Sequence, residues 1–212
     1  MTVSTRHGKS ILLGIGKVIQ ENKSYLSEVD GLIGDGDHGI NMSKGFTLFS
    51  EKVAGQELNF SEALNILGRT LMEDIGGSMG PLYGTFFMEM AKQIKDLEEI
   101  DQMTFGRMLD AALAAIKALG NAQVGDKTMI DCLEPAVAAY HHALKENKSF
   151  DECLAAMKTA AGEGRDSTIC LVAKLGRASR LGERSRGVLD AGAASCCLIL
   201  CTMADAIMVS ST

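Results

Sequence analysis

The sequence predicts an all-helical fold, and three observations carry that prediction. Apolar residues recur at helical spacing along several long segments, two capping boxes mark helix starts, and no segment sustains the polar/apolar alternation of a half-buried strand. At 212 residues the chain suits one domain spanning 1–212, long enough to bury roughly 70% of its unfolded surface. A composition of 46% hydrophobic and 23% charged residues excludes a largely disordered chain.

The elements follow in order. The opening "MTVSTRHGKSILLGIGKVI" lacks the long apolar region and small-residue cleavage site of a secretory leader, and Ile11, Leu12, Ile15, Val18 and Ile19 form its first apolar stripe. Asn59 with Glu62 supplies a capping box for the stripe Leu64, Leu67, Leu71 and Ile75. Pro81 and Pro135 are both placed near helix starts, and Met72, Met79, Met88 and Met90 read as packing residues. Leu109, Leu113 and Ile116 make a third stripe; Leu133, Val137, Tyr140 and Leu144 make a fourth. Ser149 with Glu152 is the second capping box. The apolar stretch "AGAASCCLILCTMADAIMV" is interrupted by Asp205 and reads as a buried core helix rather than a membrane span.

Bulk properties narrow the function. A net charge of -6 argues against nucleic-acid and membrane-surface roles unless a basic patch is strongly localised. The six cysteines show no C-x-x-C pair and read as small buried hydrophobes of a reducing cytoplasm. His7, His141 and His142 are placed on helices without companions and carry no assigned role.

Glycines cluster between the stripes, in "GLIGDGDHG", "IGGSMGPLYG", "LGNAQVGDKT" and "KLGRASRLGERSRGVLDAG", which suggests one site assembled at helix ends where bare backbone can approach a ligand. The first cluster is acidic, with Asp30, Asp35 and Asp37 around a G-x-G-x-x-G made by Gly34, Gly36 and Gly39. No strand precedes it, so a dinucleotide fingerprint is disfavoured. An EF-hand starting at Asp35 needs Gly and Glu where Ile40 and Phe46 stand, and a Walker A loop lacks its glycine and hydroxyl around Lys44. A naked phosphate about 4 Å from a carboxylate is repelled by roughly 4 kcal/mol at an effective dielectric near 20. A divalent cation between the two removes the conflict, and Mg²⁺ is commonly held by carboxylates plus phosphates. Asp-Gly pairs also make ordinary caps and turns, so spacing alone leaves a solvated turn cluster as the alternative.

Together, "GDGDHGINM", "GGSMGPLYG", "GDKTMID" and "GRASRLGERSRG", in this order over almost the whole chain, resemble the nucleotide-binding L subunit family of bacterial dihydroxyacetone kinases. That resemblance implies a closed barrel of eight antiparallel helices, with ADP or ATP and two Mg²⁺ in the loops at one end. It implies Asp30, Asp35 and Asp37 as metal ligands, and His38, Gly39, Ile40 and Asn41 as the same loop continuing toward the phosphates. Ser78 and Met79 match a phosphate-binding turn, Gly120 and Met129 a base pocket, Arg177 a phosphate contact, and Asp190, Ala191 and Gly192 a nucleotide-contacting turn. Where the family usually reads G-H-x-D-P-G this chain has "GVLDAG", so Val188 replaces a histidine and Ala191 a proline.

From Lys174 to Gly187 five basic residues face one acidic residue, Glu183. The segment reads as a lid that neutralises a transferring phosphoryl group, as a surface loop closed on its own ion pairs, or as a dock for an acidic partner face. Lys127 and Thr128 bind ligand or cap the following helix, and His38 reads as a phosphate donor or as an N-cap or core hydrogen-bonding histidine. The expected function is transfer of a γ-phosphoryl group to a short ketose, with Arg177 and His38 as the catalytic candidates. The resemblance further implies a separate K subunit that holds the ketose and, in phosphotransferase-linked systems, a multiphosphoryl donor subunit. A homodimer is left open. A nucleotide-sensing module that binds a transcription factor without phosphotransfer is the alternative.

Overall fold

The computed structural model describes residues 1–210, and among them nine α-helices carry the chain. These are α1 (Gly8–Glu21), α2 (Lys23–Ile33), α3 (His38–Lys52), α4 (Phe60–Asp74), α5 (Met79–Gln93), α6 (Gln102–Gly120), α7 (Ile130–Lys145), α8 (Phe150–Ser167) and α9 (Ala191–Ser210). The apolar stripes become the core faces: Ile11, Leu12, Ile15 and Ile19 of α1, Leu64, Leu67 and Leu71 of α4, and Leu133, Val137 and Tyr140 of α7 are buried. Both capping boxes form, with Asn59 accepting from the Glu62 N–H at 2.9 Å and Ser149 from the Glu152 N–H at 3.3 Å.

Eight helices make a circuit of neighbours. α3 packs on α1 and α4, each helix from α4 to α8 packs on the next, and α9 packs on both α8 and α1. α2 lies against α3 and α9 beside this circuit. Serial packing of this kind places every second connection at the same end. The connections 34–37, 75–78, 121–129 and 171–190 all supply walls of one cavity. By length and composition α9 can cross a membrane. It lies instead in the core, with Ala193, Ser195, Cys196, Ile199, Leu200 and Met203 buried against its neighbours.

Four expectations need correction. Thr2–Ser4 (β1) pairs antiparallel with Glu99–Asp101 (β2), a sheet too short to leave an alternating pattern. Pro135 is the sixth residue of α7, inside the helix rather than at its start. His141 has a companion: its Nε2 lies 2.8 Å from Asp110 Oδ1 on α6, while His142 sits 3.5 Å from Glu146. Cys132, Cys153, Cys196 and Cys197 are buried as expected, but Cys170 is exposed and Cys201 half-buried. Cys170 is the last residue of a short 3₁₀ turn, Thr168–Cys170, ahead of the basic segment.

Candidate functional site

Asp30 lies in the last turn of α2, which ends at Gly34 where the Gly34 N–H donates to the Asp30 carbonyl at 2.5 Å. Gly36 adopts φ 76°, a left-handed turn that favours glycine and returns the chain toward α3. Asp37 occupies the N-cap position of α3 but makes no side-chain capping bond, so its carboxylate is left for other work. The turn brings Asp30, Asp35 and Asp37 together: one carboxylate oxygen from each lies within 4.8 Å of the others. Two like charges at that distance repel by about 3 kcal/mol at an effective dielectric near 20. The only cation paired with the cluster among the described residues is Arg177, whose guanidinium donates to Asp35. Three hard oxygen donors against one positive charge make a set that fits Mg²⁺ or Ca²⁺.

Beside the carboxylates opens a cavity of about 330 Å³. Ser78 is the N-cap of α5 and makes no side-chain cap, and Gly77, Ser78 and Met79 line the cavity, so the positive end of the α5 dipole lies at its wall. Ile116, Gly120, Ala122, Met129 and Ile130 form an apolar wall, and Leu175, Gly176 and Arg177 close a third side. Asp190, Ala191 and Gly192 complete it at the start of α9, where the Asp190 carboxylate accepts from the Ala193 N–H at 2.7 Å in N-cap geometry. Apolar surface for a flat ring, a helix terminus and a carboxylate cluster meet in one space, the chemistry of a phosphorylated organic ligand with its cation.

Of the predicted residues, Asp30, Asp35, Asp37, His38, Ser78, Met79, Gly120, Met129, Arg177, Asp190, Ala191 and Gly192 all line this cavity. Gly39, Ile40 and Asn41 do not reach its wall. Gly39 packs α3 onto α2, where an added Cβ would stand 2.0 Å from the Lys23 carbonyl oxygen. Ile40 is exposed, and the Asn41 N–H bonds back to the Asp37 carbonyl at 2.9 Å.

Lys127 resolves its two sequence readings in a third way. It is only 2% exposed, and its Nζ donates to the carbonyls of Thr168, Leu171 and Val188, pinning together both roots of the basic segment. Burial holds its ammonium pKa below the ordinary lysine value. Thr128 caps α7 by accepting from the Ile130 N–H at 3.1 Å, and Asp131 fixes the same loop through the N–H groups of Gly125 (2.6 Å) and Thr128 (2.7 Å). In the basic segment Lys174 pairs with Asp126 at 3.1 Å, Arg177 with Asp35 and Arg186 with Glu183 at 3.1 Å. Arg180 and Arg184 are exposed and have no ion pair among the described residues.

Sequence reasoning missed Tyr83 and Ser195. The Tyr83 hydroxyl lies 2.6 Å from Ser195 Oγ, which lies 2.8 Å from His38 Nε2. All three are buried, and burial pushes the imidazole of His38 down to about 4 and the Tyr83 phenol up. Burial also pushes Asp190 up to about 7. The one available signal was a serine inside an Ala/Cys/Leu run, in "AGAASCCLIL".

The sequence pattern of the DAK2 domain family matches residues 32–205. PEP-dependent dihydroxyacetone kinase 1, ADP-binding subunit DhaL, of Listeria innocua is 40% identical over 189 residues, covering 89% of each chain. The PEP-dependent dihydroxyacetone kinase, ADP-binding subunit DhaL, of Escherichia coli K12 is 38% identical over 203 residues, covering 92% of this chain and 93% of that one. A crystal structure of the dihydroxyacetone kinase of C. freundii superposes with a TM-score of 0.71 at 25% identity, covering 93% of this chain and 34% of that one.

Proposed function

The chain belongs to the DAK2 domain family, and on that premise we propose that it is the nucleotide-binding L subunit of a dihydroxyacetone-type kinase. One observation carries the reading: three converging carboxylates, the bare N-terminus of α5 and Arg177 border the same cavity. In this reading Asp30, Asp35 and Asp37 hold two Mg²⁺ ions. Bound there, the metal offsets the charge of the nucleotide phosphates and orients them.

The chain's own residues do the rest by position and charge. The N–H groups after Ser78 hold the β-phosphate, while Gly120 and Met129, with Ile116 and Ala122, clasp the base. Asp190, Ala191 and Gly192 contact the nucleotide from the α9 turn. Arg177 exchanges its exposed pairing with Asp35 for the transferring γ-phosphoryl group, and His38 donates a hydrogen bond to it. The acceptor is a hydroxyl of a short ketose such as dihydroxyacetone, held on a separate K subunit. The chain works in the cytoplasm, with ADP retained as a cofactor and recharged by a phosphotransferase-system donor subunit; similarity to ADP-binding subunits named PEP-dependent and PTS-dependent supports the retained ADP and its donor. Exposed Leu32, Ile40, Leu119 and Val124 flank the cavity-lining residues in sequence and suit burial against such partners.

Calorimetry of the purified chain with ADP and Mg²⁺ tests the first half: no binding of ADP or ATP sinks the proposal. Adding a K-type subunit and a phosphoryl donor tests the second half. Phosphorylation of dihydroxyacetone is expected, whereas a nucleotide sensor produces none. Asp35→Asn and Asp37→Asn should each abolish Mg²⁺-dependent nucleotide retention with unchanged helical circular dichroism; unchanged retention would remove the metal assignment.

A further inference from the structure

The network behind the cavity joins three elements of the site. His38 opens α3 next to the carboxylate turn, Tyr83 lies one turn into α5 behind the Met79 terminus, and Ser195 lies one turn into α9 behind Ala191 and Gly192. Their hydroxyls and ring meet at 2.6 and 2.8 Å in a buried space. We propose that Tyr83 and Ser195 are positioning residues of this site, forming a relay Tyr83 to Ser195 to His38 that holds the imidazole with its proton on Nδ1.

Donor and acceptor strengths set the direction. The Tyr83 hydroxyl has two acceptors, Ser195 Oγ at 2.6 Å and the Gly192 carbonyl at 3.1 Å; a phenol is the stronger acid and an aliphatic hydroxyl the better acceptor, so the shorter contact runs from Tyr83 OH to Ser195 Oγ. The Ser195 proton then has three acceptors: His38 Nε2 at 2.8 Å, the Ala191 carbonyl at 3.1 Å and the Gly192 carbonyl at 3.2 Å. The two carbonyls stand in the first turn of α9 and take N–H groups four residues on. The imidazole nitrogen is both nearer and more basic, so Ser195 donates to Nε2. A neutral ring that accepts at Nε2 carries its hydrogen at Nδ1. Nδ1 has no hydrogen-bond partner among the described residues, and His38 lines the cavity. A donor there suits a phosphate oxygen, a point that rests on the nucleotide reading; the relay itself does not.

The test uses the full chain labelled with ¹⁵N-histidine. Long-range ¹H–¹⁵N spectra report the tautomer of each of its four histidines, and His38 is the signal lost in His38→Gln. The free chain at neutral pH should show Nδ1 protonated and Nε2 bare. Ser195→Ala should give a mixture of tautomers, and Tyr83→Phe, which keeps the ring packing, should shift the same signals less. Protonated Nε2 in the wild type, or His38 signals unchanged in both variants, overturns the proposal. A second readout is Mg²⁺–ADP affinity: Ser195→Ala should weaken it about tenfold, the worth of one hydrogen bond, and add nothing in the His38→Gln background. Equal losses in both backgrounds mean a merely structural serine and also overturn it. Because the tautomer is read on the free chain, failure to bind nucleotide sinks the functional reading and leaves the tautomer assignment standing.

Discussion

On the proposed metal assignment Arg177 and Mg²⁺ compete for the same oxygens, which gives a prediction of unusual sign. In the ligand-free chain the Arg177 guanidinium donates to Asp35, with the two side chains 61% and 37% exposed. At that exposure the pair contributes about 0.2–1 kcal/mol, because water screens the attraction and two side chains lose freedom. A metal ion that takes Asp35 must first release this pair. Arg177→Ala removes the competitor, so Mg²⁺ alone should bind the free chain about 1.5- to 5-fold more tightly. The same variant should bind Mg²⁺–ADP or Mg²⁺–ATP more weakly, since a phosphate contact is lost. Calorimetric titration with MgCl₂, without and then with nucleotide, reads both signs on one preparation. Weaker Mg²⁺ binding by Arg177→Ala in the absence of nucleotide would refute the competition, showing that Arg177 orders the carboxylates rather than shielding them.

Three further outcomes follow from packing, charge and burial. Gly39→Ala places a Cβ 2.0 Å from a backbone oxygen of α2 that cannot swing away, and should cost about 1–3 kcal/mol, lowering the melting temperature by about 3–10 °C; an unchanged melting curve would contradict the close approach. Lys127→Met strips three carbonyls, that of Thr168 fully buried, of their donor and should speed amide exchange across residues 168–188 while leaving α4 and α5 protected; unchanged exchange would deny Lys127 its pinning role. Stability against pH depends on two opposed groups. Asp190, pushed up to about 7, contributes stability that is present below about pH 4 and lost as pH rises to 7. His38, pushed down to about 4, contributes stability that is present above about pH 6.5 and lost as pH falls to 4. The two slopes oppose each other between pH 4 and 6.5, so Asp190→Asn should make the melting temperature of the metal-free chain rise more steeply with pH over that window than it does in the wild type.

The local and the long-range parts of this molecule were unequally legible. Stripes such as Leu64, Leu67 and Leu71 and the boxes at Asn59 and Ser149 are short-range chemistry, and the helices form where those signals stand. The carboxylate cluster was legible for the same reason: eight residues from Asp30 to Asp37 hold all three carboxylates and the glycine turn that converges them. The companions of His38 were not. Ser195 lies 157 residues away, and a serine in an apolar run looks like any small core residue until its partner is placed. Lys127 was ambiguous because its acceptors are backbone carbonyls of Thr168, Leu171 and Val188, which any side chain there would present.

That last point bears on the two positions where the chain departs from its family's usual turn. Val188 stands where a histidine is usual, and its structural contribution is its carbonyl, which accepts from Lys127. Ala191 stands where a proline is usual, at the first position of α9, immediately after the capping carboxylate of Asp190. Proline suits that position because the first-turn N–H has no helical acceptor and φ is already helical; alanine is compatible with the same backbone and only leaves the unfolded chain freer. Both replacements therefore leave the backbone contacts of this turn, the Val188 carbonyl to Lys127 and the Asp190 cap of α9, in place. Of the residues proposed to act through their side chains, Asp35, Asp37, His38 and Arg177 stand within the motifs that carry the resemblance.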